Sequence, residues 1–274
     1  MNRQVPETIA IVGNGRVAHH MRHYFDAVGQ PYTHWFRSSS GTASHPTSHP
    51  RANQSRLAAF KHKLKKLIKP SHRPDLAATV AKASVVLLLI NDDQIIPFLE
   101  SHPELNDKTC VHFSGSLYTE LALGCHPLMT FGGDFYALEQ YRSIPFVVDE
   151  GVDFQSLFPL LTNPVATIKP ADKVKYHACC VMAGNFSQML WQAMGKEFAD
   201  MGLPEQLMAP YLLQNTQNFI DNPAQAATGP FVRGDMQTIE KHLQALQGHQ
   251  LADIYRAFYH WQKPTVDQQH RSQS

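Results

Sequence analysis

Apolar residues first cluster in short, β-branched runs at Thr8 to Val12, Tyr32 to Phe36, Ser84 to Ile90, Thr109 to Phe113 and Pro145 to Val148. Turn residues or helix-like segments separate these runs. Strands apolar at nearly every position, alternating with helices, predict a mainly parallel sheet buried on both faces. Beyond about Pro170 the spacing changes. Apolar residues now recur every three or four positions through Tyr176 to Phe198, Leu207 to Phe219 and Ile239 to Phe258, which predicts helices alone. The expected organisation is an α/β domain over residues 1–168 followed by an all-α domain over residues 169–274. No internal repeat is visible.

One stretch departs from this texture. Ser38 to Pro74 is rich in Ser, His and Pro and has no acidic residue, while Arg51, Arg56, Lys61, Lys63, Lys65, Lys66, Lys69 and Arg73 are basic. Leu57, Phe60, Leu64, Leu67 and Ile68 share one helical face, so a basic amphipathic helix is expected there. Its charged face is either simply solvated, or turned to an anionic partner or membrane, or an electrostatic aid to a phosphorylated ligand. The whole chain is not basic: 24 Lys+Arg stand against 23 Asp+Glu in 274 residues, which removes the global argument for a nucleic-acid partner. The longest apolar run, Ala83 to Ile90, is far shorter than the roughly 20 residues of a membrane-spanning helix. The first residues do not read as a secretory signal, and four cysteines without C-x-x-C spacing suggest reduced thiols, so the cytoplasm is the expected location.

The sharpest motif is Gly13-Asn14-Gly15-Arg16-Val17-Ala18, a G-x-G-x-x-A placed where the first strand ends and a helix opens. Gly13 suits a tight turn, Gly15 admits backbone close to a pyrophosphate, and Ala18 allows helix and strand to pack closely. The helix N-terminus then offers N–H groups and a favourable dipole to phosphates. A dinucleotide is therefore the expected cofactor. After the second strand comes Phe36-Arg37-Ser38-Ser39, with no carboxylate to hold a ribose 2′-hydroxyl; a guanidinium and hydroxyls suit a 2′-phosphate, so NADP(H) is expected rather than NAD. The alternative makes Arg37 an ordinary loop residue.

Asn91-Asp92-Asp93 and Ser114-Gly115-Ser116 follow the next two strands, where an open α/β sheet places its ligand crevice. Asp92 and Asp93 serve equally well as caps for a helix starting at Ile95, and Ser114 as a turn residue. In the helical half, Lys173, His177 and Gly184 fall on one face at 100° per residue, with Asn185 further round. Polar groups in an otherwise buriable helix suggest a face turned to a crevice. Otherwise His177 is a satisfied interface histidine and Lys175 a solvated side chain. Cys179 and Cys180 are read as small buried residues. Asp235 is placed to cap the next helix, and Arg233 either pairs with it or holds an anionic ligand.

Several pieces together carry a resemblance. They are the glycine loop, Asn91-Asp92-Asp93, His112-Phe113-Ser114-Gly115, His126-Pro127-Leu128-Met129-Thr130-Phe131, Lys173-Val174-Lys175-Tyr176-His177 with Asn185, and Thr228-Gly229-Pro230-Phe231-Val232-Arg233-Gly234-Asp235 with His242. The chain resembles Rossmann-like proteins whose C-terminal half is a domain of unknown function, found also in the alternative ketopantoate reductases of the PanG type. These are distant relatives of ketopantoate reductase, pyrroline-carboxylate reductase and hydroxyacid dehydrogenases.

The resemblance implies a Rossmann-like NADP-binding domain, an all-α C-terminal domain of the 6-phosphogluconate dehydrogenase C-terminal type used for substrate binding and dimerisation, and a homodimer. It implies hydride transfer to the carbonyl of a small 2-keto acid, foremost 2-dehydropantoate in pantothenate biosynthesis. Lys173 is then the first candidate for the acid or oxyanion partner and His177 the second, with Asn185 and His126 orienting the substrate and Arg233 holding its carboxylate. Gly13, Asn14, Gly15, Arg16, Val17, Arg37, Ser38, Asn91, Asp92 and Ser114 would bind the cofactor. An imine reductase and a non-catalytic NADP sensor are the competing expectations. No metal centre is expected: His19, His20 and His23 lie together, as do His45 and His49, but no carboxylate joins either set at a ligand spacing.

Overall fold

The structure, a computed structural model, describes residues 8–37 and 75–271. Ser38, His45, His49 and the predicted basic helix lie outside the described residues. The chain forms two compact units, 1–187 and 188–274.

The first unit is built on a seven-stranded sheet of order β2-β1-β3-β4-β5-β6-β7. The strands are β1 (Ile9–Val12), β2 (Tyr32–Trp35), β3 (Val85–Leu88), β4 (Thr109–His112), β5 (Leu123–Pro127), β6 (Phe146–Asp149) and β7 (Val165–Ile168). All neighbours run parallel except β5 and β6. Alternation along β1 explains the burial on both faces. Ile9 and Ile11 join one core with Val85, Leu87 and Val111, while Ala10 and Val12 join the other with Val86, Leu88 and Cys110. Helix α1 (Arg16–Val28) sends Met21, Tyr24 and Phe25 into the first core. Helices α2 (Leu76–Val80) and α3 (Asp92–Ser101) cover the second with Leu76, Val80, Ile95 and Phe98.

Two strands are absent from the expected set. β5, Leu-Gly-Cys-His-Pro, carries both strand-weakening residue types, and β7 is an edge strand whose apolar residues are largely exposed, so neither has a buried-strand pattern. The short helices α4 (Leu138–Ser143) and α5 (Phe154–Leu157) precede and follow β6.

Helix α6 (Lys173–Val181) begins just after the sheet ends, and its last turn passes into a π-helical turn, Met182–Phe186. The second unit is all helical, with α7 (Ser187–Asp200), α8 (Met208–Asp221), α9 (Pro230–Arg233), α10 (Met236–Ala245) and α11 (Ala252–Arg271). The apolar spacing from Ile239 to Phe258 predicts continuous helix, but turns interrupt it between α10 and α11, where Gly248 takes a positive φ of 77°. Asp235 caps α10 as expected: its carboxylate accepts from the Thr238 N–H at 3.1 Å and from the Thr238 hydroxyl at 2.7 Å. Among the described residues no helix is long and apolar enough to cross a membrane.

Candidate functional site

The chain passes from β1 out to β2 and returns to the opposite side of β1 at β3, so the sheet changes direction between β1 and β3. Loops leaving the carboxyl ends of these strands diverge and open a crevice. Gly13 ends β1, its N–H bonded to Trp35 O at 2.9 Å. Its φ is +131°, and a Cβ there would lie 2.1 Å from Leu89 O, so two requirements fix glycine at this point. A Cβ at Gly15 would meet nothing within 4 Å, which leaves the loop's outer face open. Gly15 is also the N-cap of α1 and offers no side chain to the first N–H groups, and no acidic residue stands in the first turn. The donors therefore remain available to an anion.

A cleft of about 400 Å³ runs along this loop, lined by Gly13, Asn14, Gly15, Arg37, Asn91 and an apolar wall that includes Trp35 and Phe98. Positive charge, open N–H groups and a flat apolar wall fit a phosphorylated dinucleotide. Arg37 is the cation of this lining.

Arg16 and Val17, the next residues along, line a second and larger cleft of about 910 Å³ with His126, Phe131, Tyr176, His177 and Asn185. Strand offset explains why His126 reaches it. Only Val111 and His112 of β4 pair with β5, at Leu123 and Gly124, so Cys125 to Pro127 overhang the end of β4. His126 thereby meets Gly115. A Cβ on Gly115 would lie 2.5 Å from His177 Cδ2 and 3.1 Å from His126 Nε2, so glycine is what lets both rings close over the backbone. The two rings are perpendicular, 5.7 Å between centroids. His126 Nδ1 is 2.8 Å from the Tyr176 hydroxyl. Burial holds His126 down to about 4, helped by neighbouring His177 and Lys173 and opposed by Asp92. Burial raises Tyr176, as does its hydrogen bond with Cys180.

Lys173 is placed elsewhere. It is 3% exposed and its Nζ is paired with the Asp149 carboxylate, whose other oxygen accepts from the Gly124 N–H at 2.9 Å. A buried ammonium needs a counter-ion, and the acid ending β6 supplies it, so Lys173 does not line the cleft as its helical face suggests. His112 lies beside this pair. It is fully buried, its Nδ1 accepts from the Ser114 N–H at 3.2 Å, and its Nε2 has no partner among the described residues. Burial and the Lys173 charge push His112 down to about 4.

Asp92 and Ser114 are joined directly, the hydroxyl donating to the carboxylate, and Ser114 Oγ also accepts from the Leu117 N–H at 3.0 Å. Helix α3 begins at Asp92 with Asn91 as N-cap and no side-chain cap bond, so the capping alternative for Asp92 and Asp93 is corrected. The reading of two buried thiols also changes. Cys179 is exposed and Cys180 half-buried, because both line the second cleft. Asn185 lies in the π-helical turn, whose wider winding moves it from its α-helical azimuth and into the cleft lining. Arg233, in the second unit, is exposed and forms no ion pair among the described residues.

His19 contacts Asn14, His20 contacts Tyr141 and Gly132 O, and His23 stacks on Phe135. Asp149 and Tyr176 are not among the site residues that the sequence suggests. An acid directly after a strand was the available signal for the first, and Tyr176 stands beside His177 in the motif already noted.

Residues 152–260 match the domain of unknown function DUF2520. This match supplies the C-terminal domain that the motifs led us to expect. No curated protein sequence matches the chain. Among solved structures, it is similar to BF3122 of Bacteroides fragilis, a candidate NADP oxidoreductase by its description, with 17% identity, TM-score 0.67, and 93% of this chain and 97% of that one covered. TM1727 of Thermotoga maritima follows at 18% identity and TM-score 0.62, covering 96% and 99%. A reductive aminase of Aspergillus terreus in complex with NADPH and ethyl levulinate matches at 14% identity and TM-score 0.59, covering 96% and 95%. At these identities the likeness shows a shared fold. The chain thus joins a Rossmann-like α/β part to a helical part, and the match to DUF2520 runs from the end of the first into the second.

Proposed function

We propose that this protein is an NADP-dependent oxidoreductase that reduces a small 2-keto acid, foremost 2-dehydropantoate (ketopantoate) to pantoate. The observation that supports the reading is the lining of the larger cleft: Arg16, His126, His177 and Asn185 converge beside the glycine loop, and among the described residues no carboxylate joins them. Such a lining suits an anionic carbonyl substrate and offers nothing to balance a cationic iminium. On this reading residues 1–168 bind the cofactor, with Gly13, Asn14, Gly15 and Arg37 toward the phosphates and Asn91, Asp92 and Ser114 toward the nicotinamide end. Residues 169–274 complete the substrate site and mediate a homodimer.

NADPH, when bound, supplies a hydride to the carbonyl carbon. As that C–H bond forms, the C=O π pair moves to oxygen and must be stabilised and protonated. His126 donates to that oxygen and His177 delivers the proton, which leaves a hydroxyl product. Asn185 orients the substrate, and Arg16 binds its carboxylate. Lys173 supports the site through its pair with Asp149, which fixes the first turn of α6 and so the position of His177 one turn later.

NADPH oxidation by purified protein, with ketopantoate, other 2-keto acids, cyclic imines and NADH as controls, tests this. Saturable turnover of ketopantoate with NADPH is expected. Tight NADPH binding without turnover across the panel overturns the reductase reading, and absence of binding overturns the cofactor assignment too.

A further inference from the structure

The phenol of Tyr176 and His126 Nδ1 lie 2.8 Å apart. Phenol is the better donor of such a pair, and a neutral imidazole nitrogen is a better acceptor than the thiol of Cys180, the hydroxyl's other neighbour, so the hydroxyl donates to Nδ1. The ring proton then resides on Nε2. That nitrogen makes no hydrogen bond among the described residues, although His126 lines the cleft. Gly115 beside it has no side chain to cover the ring edge. The other charges are engaged: Asp92 accepts from Ser114, and Asp149 is paired with Lys173. Asp92 alone among these groups favours a protonated imidazole, and burial together with the neighbouring His177 and Lys173 outweighs it.

We propose that Tyr176 is a positioning residue that fixes His126 as the neutral Nε2–H tautomer, so that the cleft presents a donor matched to a carbonyl oxygen and mismatched to an iminium N–H. The inference rests on the reductase reading for its chemistry, but the tautomer does not. Burial of His126, which holds it neutral, acts in the same sense. The tautomer of a functional histidine is set by the bond its other nitrogen makes, and here that bond comes from the residue preceding His177.

Full-length protein labelled with ¹⁵N-histidine, with His126→Gln to assign the ring, decides the matter. The expected spectrum is a neutral Nε2–H ring with an accepting Nδ1 from about pH 8 to about pH 5.5, and a mixture of tautomers in Tyr176→Phe. Tyr176→Phe is also expected to lower kcat for a 2-keto acid by roughly 10- to 100-fold with little change in NADPH affinity, and to narrow the preference for keto acid over cyclic imine. A protonated ring at about pH 6, an Nδ1–H tautomer, or a Tyr176→Phe spectrum identical to wild type overturns the proposal. So does a changed tautomer with unchanged kcat and preference. If the variant does not fold, the wild-type ring state decides. A wild-type protein that reduces neither substrate overturns the proposed function, while the spectra still decide the tautomer.

Discussion

At Arg37 and His112, two side chains of similar formal chemistry play opposite parts because water reaches one and not the other. Arg37 is exposed in the smaller cleft, where on the proposed function its guanidinium makes charge-assisted bonds to a phosphate. Arg37→Ala is expected to weaken NADPH roughly 10- to 100-fold, with NADH nearly unchanged, as measured by fluorescence titration, since a hydrogen bond to a charged group contributes about 1.5–3 kcal/mol. His112 is fully buried and held down to about 4, below its ordinary 6.5. The unfolded chain therefore binds a proton that the folded chain refuses, and stability falls as pH drops from about 6.5 toward 4. On the order of 3 kcal/mol is at stake over that window. His112→Asn keeps an acceptor for the Ser114 N–H but does not titrate, so its urea midpoint should depend less on pH there than that of wild type.

Among the elements, α6 shows what a periodic pattern can and cannot reveal. The spacing of Lys173 and His177 correctly puts a helix there, and His177 does line a cleft. What the pattern lacks is the identity of the neighbour: Asp149 ends a strand 24 residues earlier and takes Lys173 into the interior. The π-helical turn at Met182–Phe186 is likewise invisible to a count at a fixed angle, and it carries Asn185. β1 and β3 were legible because both faces of each are buried, whereas β5 was not, although its overhang delivers His126. If the Lys173–Asp149 pair is structural, Lys173→Ala leaves a buried carboxylate without its partner and costs about 3–5 kcal/mol, read as a lower urea midpoint. Lys173→Met combined with Asp149→Asn should recover most of that stability, and also most of any lost turnover. A catalytic Lys173 would recover the first and not the second.

For the whole molecule, the most exposed of the large apolar side chains, Val174 apart, lie in the second unit. The first buries both faces of its sheet, whereas the second exposes Leu213 at 71%, Trp261 at 67%, Ile220 at 65% and Phe219 at 61%. Scattered exposed apolar residues are ordinary on a surface, but four large ones at this exposure, three of them within α8, leave a helix with apolar side chains and no partner among the described residues. A second copy of the chain would satisfy them with matching chemistry, since a two-fold interface sets the same apolar surface against itself. The homodimer follows as part of the proposed function. Sedimentation equilibrium should give a mass near twice 30.8 kDa. Charged substitutions within α8, Leu213→Glu with Ile220→Lys, should shift the protein toward monomer without lowering NADPH affinity, because the residues lining the nucleotide cleft all belong to the first unit. If both wild type and variant sediment as monomers at micromolar concentration, the apolar surface of α8 needs a partner other than this chain.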